Sequence, residues 1–374
     1  MSNPVSLLTL ESIPWMSAKS LSHAMREVSL RGPNDLGTWT RLVGRADMIA
    51  HSFNPKQTAL VVHSLGKIFE QKLFPTDFIE TFLGRFTRKF LPHIVPHTSP
   101  LDAAQIAHGL AIFGKTNKRV SAHCLSMMMD RVSELAFDMD MKAVSMCAAS
   151  LSDKRSVLPE EVRSKCIVAL SSRFLQLDDV NEQSFAQILR ACTTMASEKE
   201  VGEIVTDLCV KNLKLFQSMS VRSLSVCLNS LAKVLNTNTP VVNEILLICS
   251  ERIEEGDSGI ATGASLLQLG VLLRSLQKLG IRKVSAMTDQ AMVKYIQSRD
   301  RSNMSTHTVC VLLSALVEVP GTTGLVRTVI DSVRIMNGRF SPTEIAAISN
   351  ALKRSEVDPE FVSEAIRDMT EQAA

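Results

Sequence analysis

The feature that most constrains this chain is an internal repeat with a spacing of 36 to 45 residues. A segment resembling 53–65 (FNPKQTALVVHSL) occurs nine times in degenerate form. The second residue of each copy is Ser, Asn or Asp, the residue types that best cap a helix N-terminus. These nine predicted caps are Ser17, Asn54, Ser99, Asp140, Asn181, Ser220, Ser265, Ser305 and Ser341. The pattern therefore predicts nine helix starts, and we call the helices that follow them A helices.

The residues after each cap have the periodicity of one buried helix face. Positions 4, 7, 8 and 11 after the cap are mostly apolar, and position 5 is always Gly, Ala, Ser or Cys. Between the A helices lie second helical segments, which we call B helices, at 76–90, 161–175, 201–215, 241–254, 283–298 and 324–336. One helix pair cannot bury its apolar face alone, so stacking is required. We expect an all-α fold, an α-solenoid of nine helix-turn-helix repeats, closed by a polar helix at 359–372.

Composition supports this fold and excludes several functions. Only 5% of the residues are aromatic, and Gly and Pro are few for a β sandwich or barrel. The repeats extend over 1–374 with no composition break, so we predict a single domain.

The eight cysteines are widely spaced, which favours buried free thiols in a reducing compartment. No apolar run reaches the ~18 residues of a membrane span. Without a catalytic or ligand-spacing motif, we expect no enzyme activity, cofactor, metal or small-molecule substrate.

A band of basic residues is hidden by the nearly balanced charge of 41 Lys and Arg against 38 Asp and Glu. Positions 2, 9 and 13 after each cap lie opposite the apolar face of an A helix. Most charged residues there are basic, and only Asp153 and Glu318 are acidic. His307 also belongs to the band. The candidate RNA-binding residues are Lys19, Arg26, Lys56, His63, Lys67, His108, Lys142, Arg190, Arg222, Lys233, Arg274, Lys278 and Arg354.

Repetition from one unit to the next turns this band into a continuous surface suited to a phosphate backbone. Lys and Arg that displace counterions would make such binding depend on salt. Reading of individual bases needs stacking aromatics, of which the chain has few, so we expect recognition of backbone or shape. The other interpretation is an ordinary solvated helix face.

The segment Phe53-Asn54-Pro55-Lys56-Gln57, with Ala59 and Ser64-Leu65 following, resembles the helix-A signature of octotricopeptide and heptatricopeptide repeat proteins. It is also similar to the repeats of organellar RAP-domain and FAST-kinase-like proteins. The aromatic that those families carry at the ninth position is replaced by His63 and its counterparts, and no RAP domain follows the repeats. The resemblance implies work on rRNA, mRNA or guide-type RNA in the mitochondrial matrix.

Two functions from different classes fit these observations. The first is a non-catalytic adaptor in a mitochondrial ribonucleoprotein, such as a mitoribosome or a complex for RNA processing, editing or stability. It would bind RNA through the A helices and other protein subunits through its remaining faces. The second is a HEAT or armadillo-like protein scaffold whose basic band faces an acidic protein. Location in the mitochondrion follows only from the resemblance, and a cytoplasmic location is the alternative.

Overall fold

The computed structural model is all-helical in the residues that it describes, which contain no strand. The described residues are 10–31, 35–71, 77–114, 118–152, 158–195, 199–235, 239–254, 265–280, 293, 296–297, 304–317, 321–333, 335, 340–353 and 357–373. The chain divides into two compact units. Unit 1 is Met1–Val180 with Arg190–Ser197, and unit 2 is Asn181–Leu189 with Glu198–Ala374. Continuity of the array as a single domain stays a prediction.

Among its described residues, unit 1 contains nine complete α-helices and the end of a tenth. They are α1 (Ala18–Arg31), α2 (Leu36–Met48), α3 (Pro55–Gln71), α4 (Asp77–Lys89), α5 (Leu91–Ile94), α6 (Pro100–Gly114), α7 (Lys118–Leu135), α8 (Met141–Leu151), α9 (Glu160–Phe174) and α10 (Glu182–Cys192). The A helices α1, α3, α6 and α8 pack on one another in chain order. The B helices α2, α4, α7 and α9 do the same. Unit 1 is therefore built of two parallel helix layers.

Unit 2 begins with the first part of α10 and repeats the arrangement. The other α-helices in its described part are α11 (Lys199–Lys211), α12 (Leu215–Ser218), α13 (Val221–Val234), α14 (Pro240–Glu254), α15 (Leu266–Lys278), α16 (Thr306–Leu316), α17 (Thr323–Val333), α18 (Pro342–Leu352) and α19 (Pro359–Ala373). The A helices α13, α15, α16 and α18 again pack in chain order. Apart from 293 and 296–297, the B helix predicted at 283–298 lies outside the described residues.

Every predicted cap begins a helix. In all nine cases the side-chain oxygen accepts a hydrogen bond from the backbone N–H three residues later, at 2.8 to 3.4 Å. At Ser265 and Ser341 the return bond from Gln268 or Glu344 completes a capping box. Asn54 and Gln57 form the same reciprocal pair. The nine predicted helix starts are therefore confirmed.

A short turn that the sequence pattern did not predict precedes several A helices. It is a 3-10 turn at Ile13–Trp15, Ala50–Ser52, Val95–His97 and Ala136–Asp138, and the four-residue helix α12 takes its place before α13. The residue after each turn is extended, as at Met16 with ψ 136° and Met139 with ψ 138°. The extended residue sets the direction in which the chain enters the next A helix.

Arginines of the B helices attach to this entry segment. Arg45 Nε and Nη2 donate to the carbonyl of Met16 at 3.0 and 2.9 Å, and Arg173 Nε donates to that of Met139 at 2.9 Å. Arg252 donates to the carbonyls of Phe216 and Met219 at 2.8 and 2.9 Å. Each arginine thus ties the B helix of a repeat to the start of its own A helix.

The thiols are part of the core. Seven of the eight cysteines are buried and Cys310 is half-buried, which confirms the predicted buried free thiols for those seven. Two of them connect successive B helices, because Cys124 Sγ donates to the carbonyl of Thr87 and Cys166 Sγ to that of Met129, both at 3.6 Å. Burial raises the pKa of Cys166 and Cys192 to about 12. These groups pack as small apolar side chains rather than react.

Candidate nucleic-acid interface

The structure places most of the predicted basic band on the surface. Ten of its residues are exposed, namely Lys19, Arg26, Lys56, Lys142, Arg190, Arg222, Lys233, Arg274, Lys278 and His307. His63, Lys67 and His108 are half-buried, and Arg354 lies outside the described residues. Asp153 and Glu318, the acidic exceptions, also lie outside them. The predicted exposure of this helix face is therefore confirmed for the ten residues, and its role in binding RNA stays a prediction.

Two A helices, α3 and α6, approach each other closely beside His63, Lys67 and His108 of this band. A Cβ added to Gly66 of α3 would come within 2.9 Å of the Cα of Gly109 in α6. One added to Gly109 would come within 2.6 Å of the backbone oxygen of Val62. Real Cβ atoms do not approach backbone atoms this closely, so glycine at both positions allows the two helices to pack backbone to backbone.

This crossing brings two histidines together. His63 precedes Gly66 by one helical turn and His108 adjoins Gly109, and their ring centroids are 5.4 Å apart with the planes inclined at 59°. The Nδ1 of His63 is buried and has no hydrogen-bond partner among the described residues. Side chains from two helices that are 45 residues apart in sequence therefore meet at the surface of unit 1.

Further members of the band act electrostatically on His63. Burial lowers the pKa of His63 from 6.5 to about 4, and the positive charges of His108, Lys67, Lys142 and Arg26 lower it in the same direction. These four groups come from α6, α3, α8 and α1. We call the five residues Arg26, His63, Lys67, His108 and Lys142 the basic cluster. The cluster thus contains band residues from four successive A helices of unit 1.

Three acidic side chains of the A helices take part in hydrogen bonds at helix starts. Ser99 Oγ donates to the carboxylate of Asp102 at 2.7 Å, and Glu344 completes the capping box of Ser341. Glu182 accepts hydrogen bonds from the backbone N–H and the hydroxyl of Ser220, which caps the next A helix. A carboxylate at a helix N-terminus is also favoured by the helix dipole. The negative charge of these three residues therefore lies at helix starts, while Glu27 and Glu70 lie further along α1 and α3.

Basic residues of the two helix types have different partners. On the B helices, Arg45, Arg173 and Arg252 donate to carbonyls, and Arg85 pairs with Asp47. On the A helices, Lys56, Arg222 and Arg274 have no carboxylate or carbonyl partner among the described residues. The B-helix arginines thus stabilise the fold, while these three cations are available to a ligand.

Unit 2 carries its own part of the band on two neighbouring helices. Arg222 and Lys233 lie on α13, and Arg274 and Lys278 lie on the adjacent α15. The two helices are joined where Ser225 Oγ donates to the carbonyl of Gln268 at 3.2 Å, at the small position five residues after the cap. All four cations are exposed. Unit 2 therefore also presents positive charge from consecutive A helices.

Two other kinds of site have no counterpart in the part of the chain that the structure describes. It contains no group of three or more His, Cys, Asp or Glu side chains that could hold a metal ion. None of the described helices has the length and apolarity needed to cross a membrane.

No family model matches the chain, and no curated protein matches it either. The resemblance to octotricopeptide-type repeats rests on the residues quoted above.

Proposed function

We propose that this chain is a non-catalytic RNA-binding adaptor of a mitochondrial ribonucleoprotein. In this proposal the two-layered units are stretches of one α-solenoid of nine repeats, and RNA backbone follows the A helices. The basic cluster is the observation that carries the proposal, because four successive A helices each contribute a cation or histidine to one place. A row of cations at a repeating spacing suits a phosphate backbone, which repeats as well. The mitochondrial location comes from the resemblance alone.

The test is a salt series of binding to single-stranded and to structured RNA. The variant Lys56→Glu, Arg222→Glu, Arg274→Glu reverses three exposed cations of the A helices. We expect at least about a tenfold loss of affinity, and a slope of log K against log salt that is shallower by about 2, since each phosphate contact on a single strand contributes ~0.7.

The matched control is Lys89→Glu, Lys165→Glu, Lys214→Glu, which makes the same change in net charge at exposed positions outside the A helices. It should keep most of the affinity. Equal losses in the two variants would mean that net charge alone attracts the RNA. Absence of binding at low salt would rule out direct RNA binding by the isolated chain.

The second candidate, a protein scaffold, is favoured by apolar side chains on the B helices of unit 2. Val210 on α11 and Leu247 on α14 are each 61% exposed, and these two helices are neighbours. Exposed apolar residues on adjacent helices are typical of surfaces that bind protein. We assign to this face the contacts with other subunits, and it becomes the main binding surface if the RNA experiment fails.

A further inference from the structure

The basic cluster contains an electrostatic conflict that the free protein resolves by keeping His63 uncharged. His63 and His108 are in ring contact, and the charges of Arg26, Lys67 and Lys142 act on the same place. A proton on either imidazole would add a positive charge beside three that are permanent. An imidazole takes up a proton in the physiological range only when its surroundings permit it. Here the pKa of His63, at about 4, leaves that ring neutral at pH 7.

The groups around His63 come from each helix that packs near it. Arg26 belongs to α1, Lys67 to α3 itself, His108 to α6 and Lys142 to α8. The B helix α4 also contacts α3, and its charged residues are Asp77, Glu80, Arg85, Arg88 and Lys89. Arg85 pairs with Asp47, Arg88 donates to the carbonyl of Gly84, and Lys89 lies over the ring of Phe90. The charges that act on His63 are thus the cations of the A helices.

A phosphate group would reverse this balance. Its negative charge offsets the three permanent cations, and a protonated imidazole beside it becomes a favourable donor instead of an additional repelled charge. Resting on the proposed function, we propose that the basic cluster is a phosphate-binding site at which one proton is taken up from solvent by the His63–His108 pair as the phosphate binds. The phosphate belongs to an RNA backbone or to a free polyphosphate, which share this chemistry.

Linkage fixes the direction of the effect. If the bound state holds more protons than the free state, affinity rises as pH falls. We expect binding of a short single-stranded RNA to strengthen at least about fivefold between about pH 7.5 and about pH 5.5, and the limit for one proton is about tenfold for each pH unit. Electrostatic attraction through Lys and Arg alone would change little over this range, because those groups stay charged.

The experiment compares two pairs of histidine substitutions. His63→Gln, His108→Gln removes the proposed proton acceptors. The control, His93→Gln, His97→Gln, removes two exposed histidines, one in α5 and one in the 3-10 turn after it. We expect the pH dependence to fall to about twofold or less in the first variant and to persist in the second. Affinity is also measured at about pH 8 for all three proteins, so that a loss of contact that does not depend on pH is separated from the loss of pH dependence.

A second measurement does not depend on the substitutions or on RNA. The imidazole C2–H signals of the unaltered protein are followed by NMR as pH is varied, with and without inorganic tripolyphosphate. An upward shift in the titration midpoint of His63 or His108 supports the phosphate site, even if RNA fails to bind and the proposed function falls. Unshifted midpoints overturn the site. If RNA binding depends on salt and its pH dependence survives in the His63→Gln, His108→Gln variant, the phosphate site is overturned as well. The proposal of RNA binding would then still stand.

Discussion

At the scale of single residues, glycine at position 109 decides how closely two A helices approach. Its missing Cβ leaves room for the backbone of Val62, and Gly66 does the same on the other side of the contact. The helices bring His63 and His108 together because they cross at this point. The band was predicted from ideal helix geometry, which gives the direction of a side chain but not the distance to the next helix. The half-burial of Lys67 and the ring contact therefore could not be predicted.

Replacing Gly109 with alanine tests this crossing. We expect Gly109→Ala to lower the free energy of unfolding by about 1–3 kcal/mol, because the new Cβ would overlap the backbone of α3 and push the helices apart. The matched control is Gly44→Ala in α2, where an added Cβ meets nothing within 4 Å. That change should stabilise the protein by about 0.5–1 kcal/mol through helix propensity. Chemical denaturation measures both, and equal stabilisation by the two would contradict a tight crossing.

At the scale of helices, the starts were predictable and the attachments between helices were not. A cap such as Ser341 with Glu344 depends on residues three apart, which a sequence displays directly. Arg45, Arg173 and Arg252 occupy no fixed distance from the caps, because the loops between A and B helices differ in length. The six predicted B segments do not include α2 and α7, and the apolar face of a B helix gives no indication of its polar bonds to the entry segments. The short turns before the A helices also lie outside the apolar pattern, so the sequence did not predict them.

The arginine attachment can be separated from the basic band by a pair of equivalent substitutions. Arg252→Met keeps the apolar stem but removes two hydrogen bonds to backbone carbonyls, at a cost of about 1–3 kcal/mol in unfolding free energy. Arg222→Met, on the exposed face of α13, should change stability by no more than about 0.5 kcal/mol. RNA affinity is measured at a temperature at which both variants are folded. There we expect Arg222→Met to lose more affinity than Arg252→Met. A stable Arg252→Met variant would show that the attachment contributes little.

At the scale of the whole molecule, the thiols distributed along the chain report on its unfolding. Cys147 and Cys166 lie in unit 1, Cys227 and Cys249 in unit 2, and all four are buried. Burial raises the pKa of each of these thiols, to about 12 for Cys166 and Cys249. Very little thiolate, the reactive form, is then present at neutral pH.

We therefore expect an alkylating reagent to modify the native protein slowly and first at Cys310, which is half-buried and whose pKa is raised to about 11. The other thiols should react only as their surroundings open, and mass spectrometry of timed samples would give the order. Similar rates within each unit would indicate that the unit opens cooperatively. Rapid modification of Cys192 in the fully folded protein would contradict its burial.

Because all nine caps are filled by the protein's own side chains, their oxygens occupy backbone donors that elsewhere hold phosphate at helix starts. A polyanion on the A helices would then be held by long, solvent-facing side chains that do little for folding. Such contacts can be gained or lost one substitution at a time, with the scaffold unchanged. Evolution could therefore tune the ligand preference of this surface almost independently of its architecture.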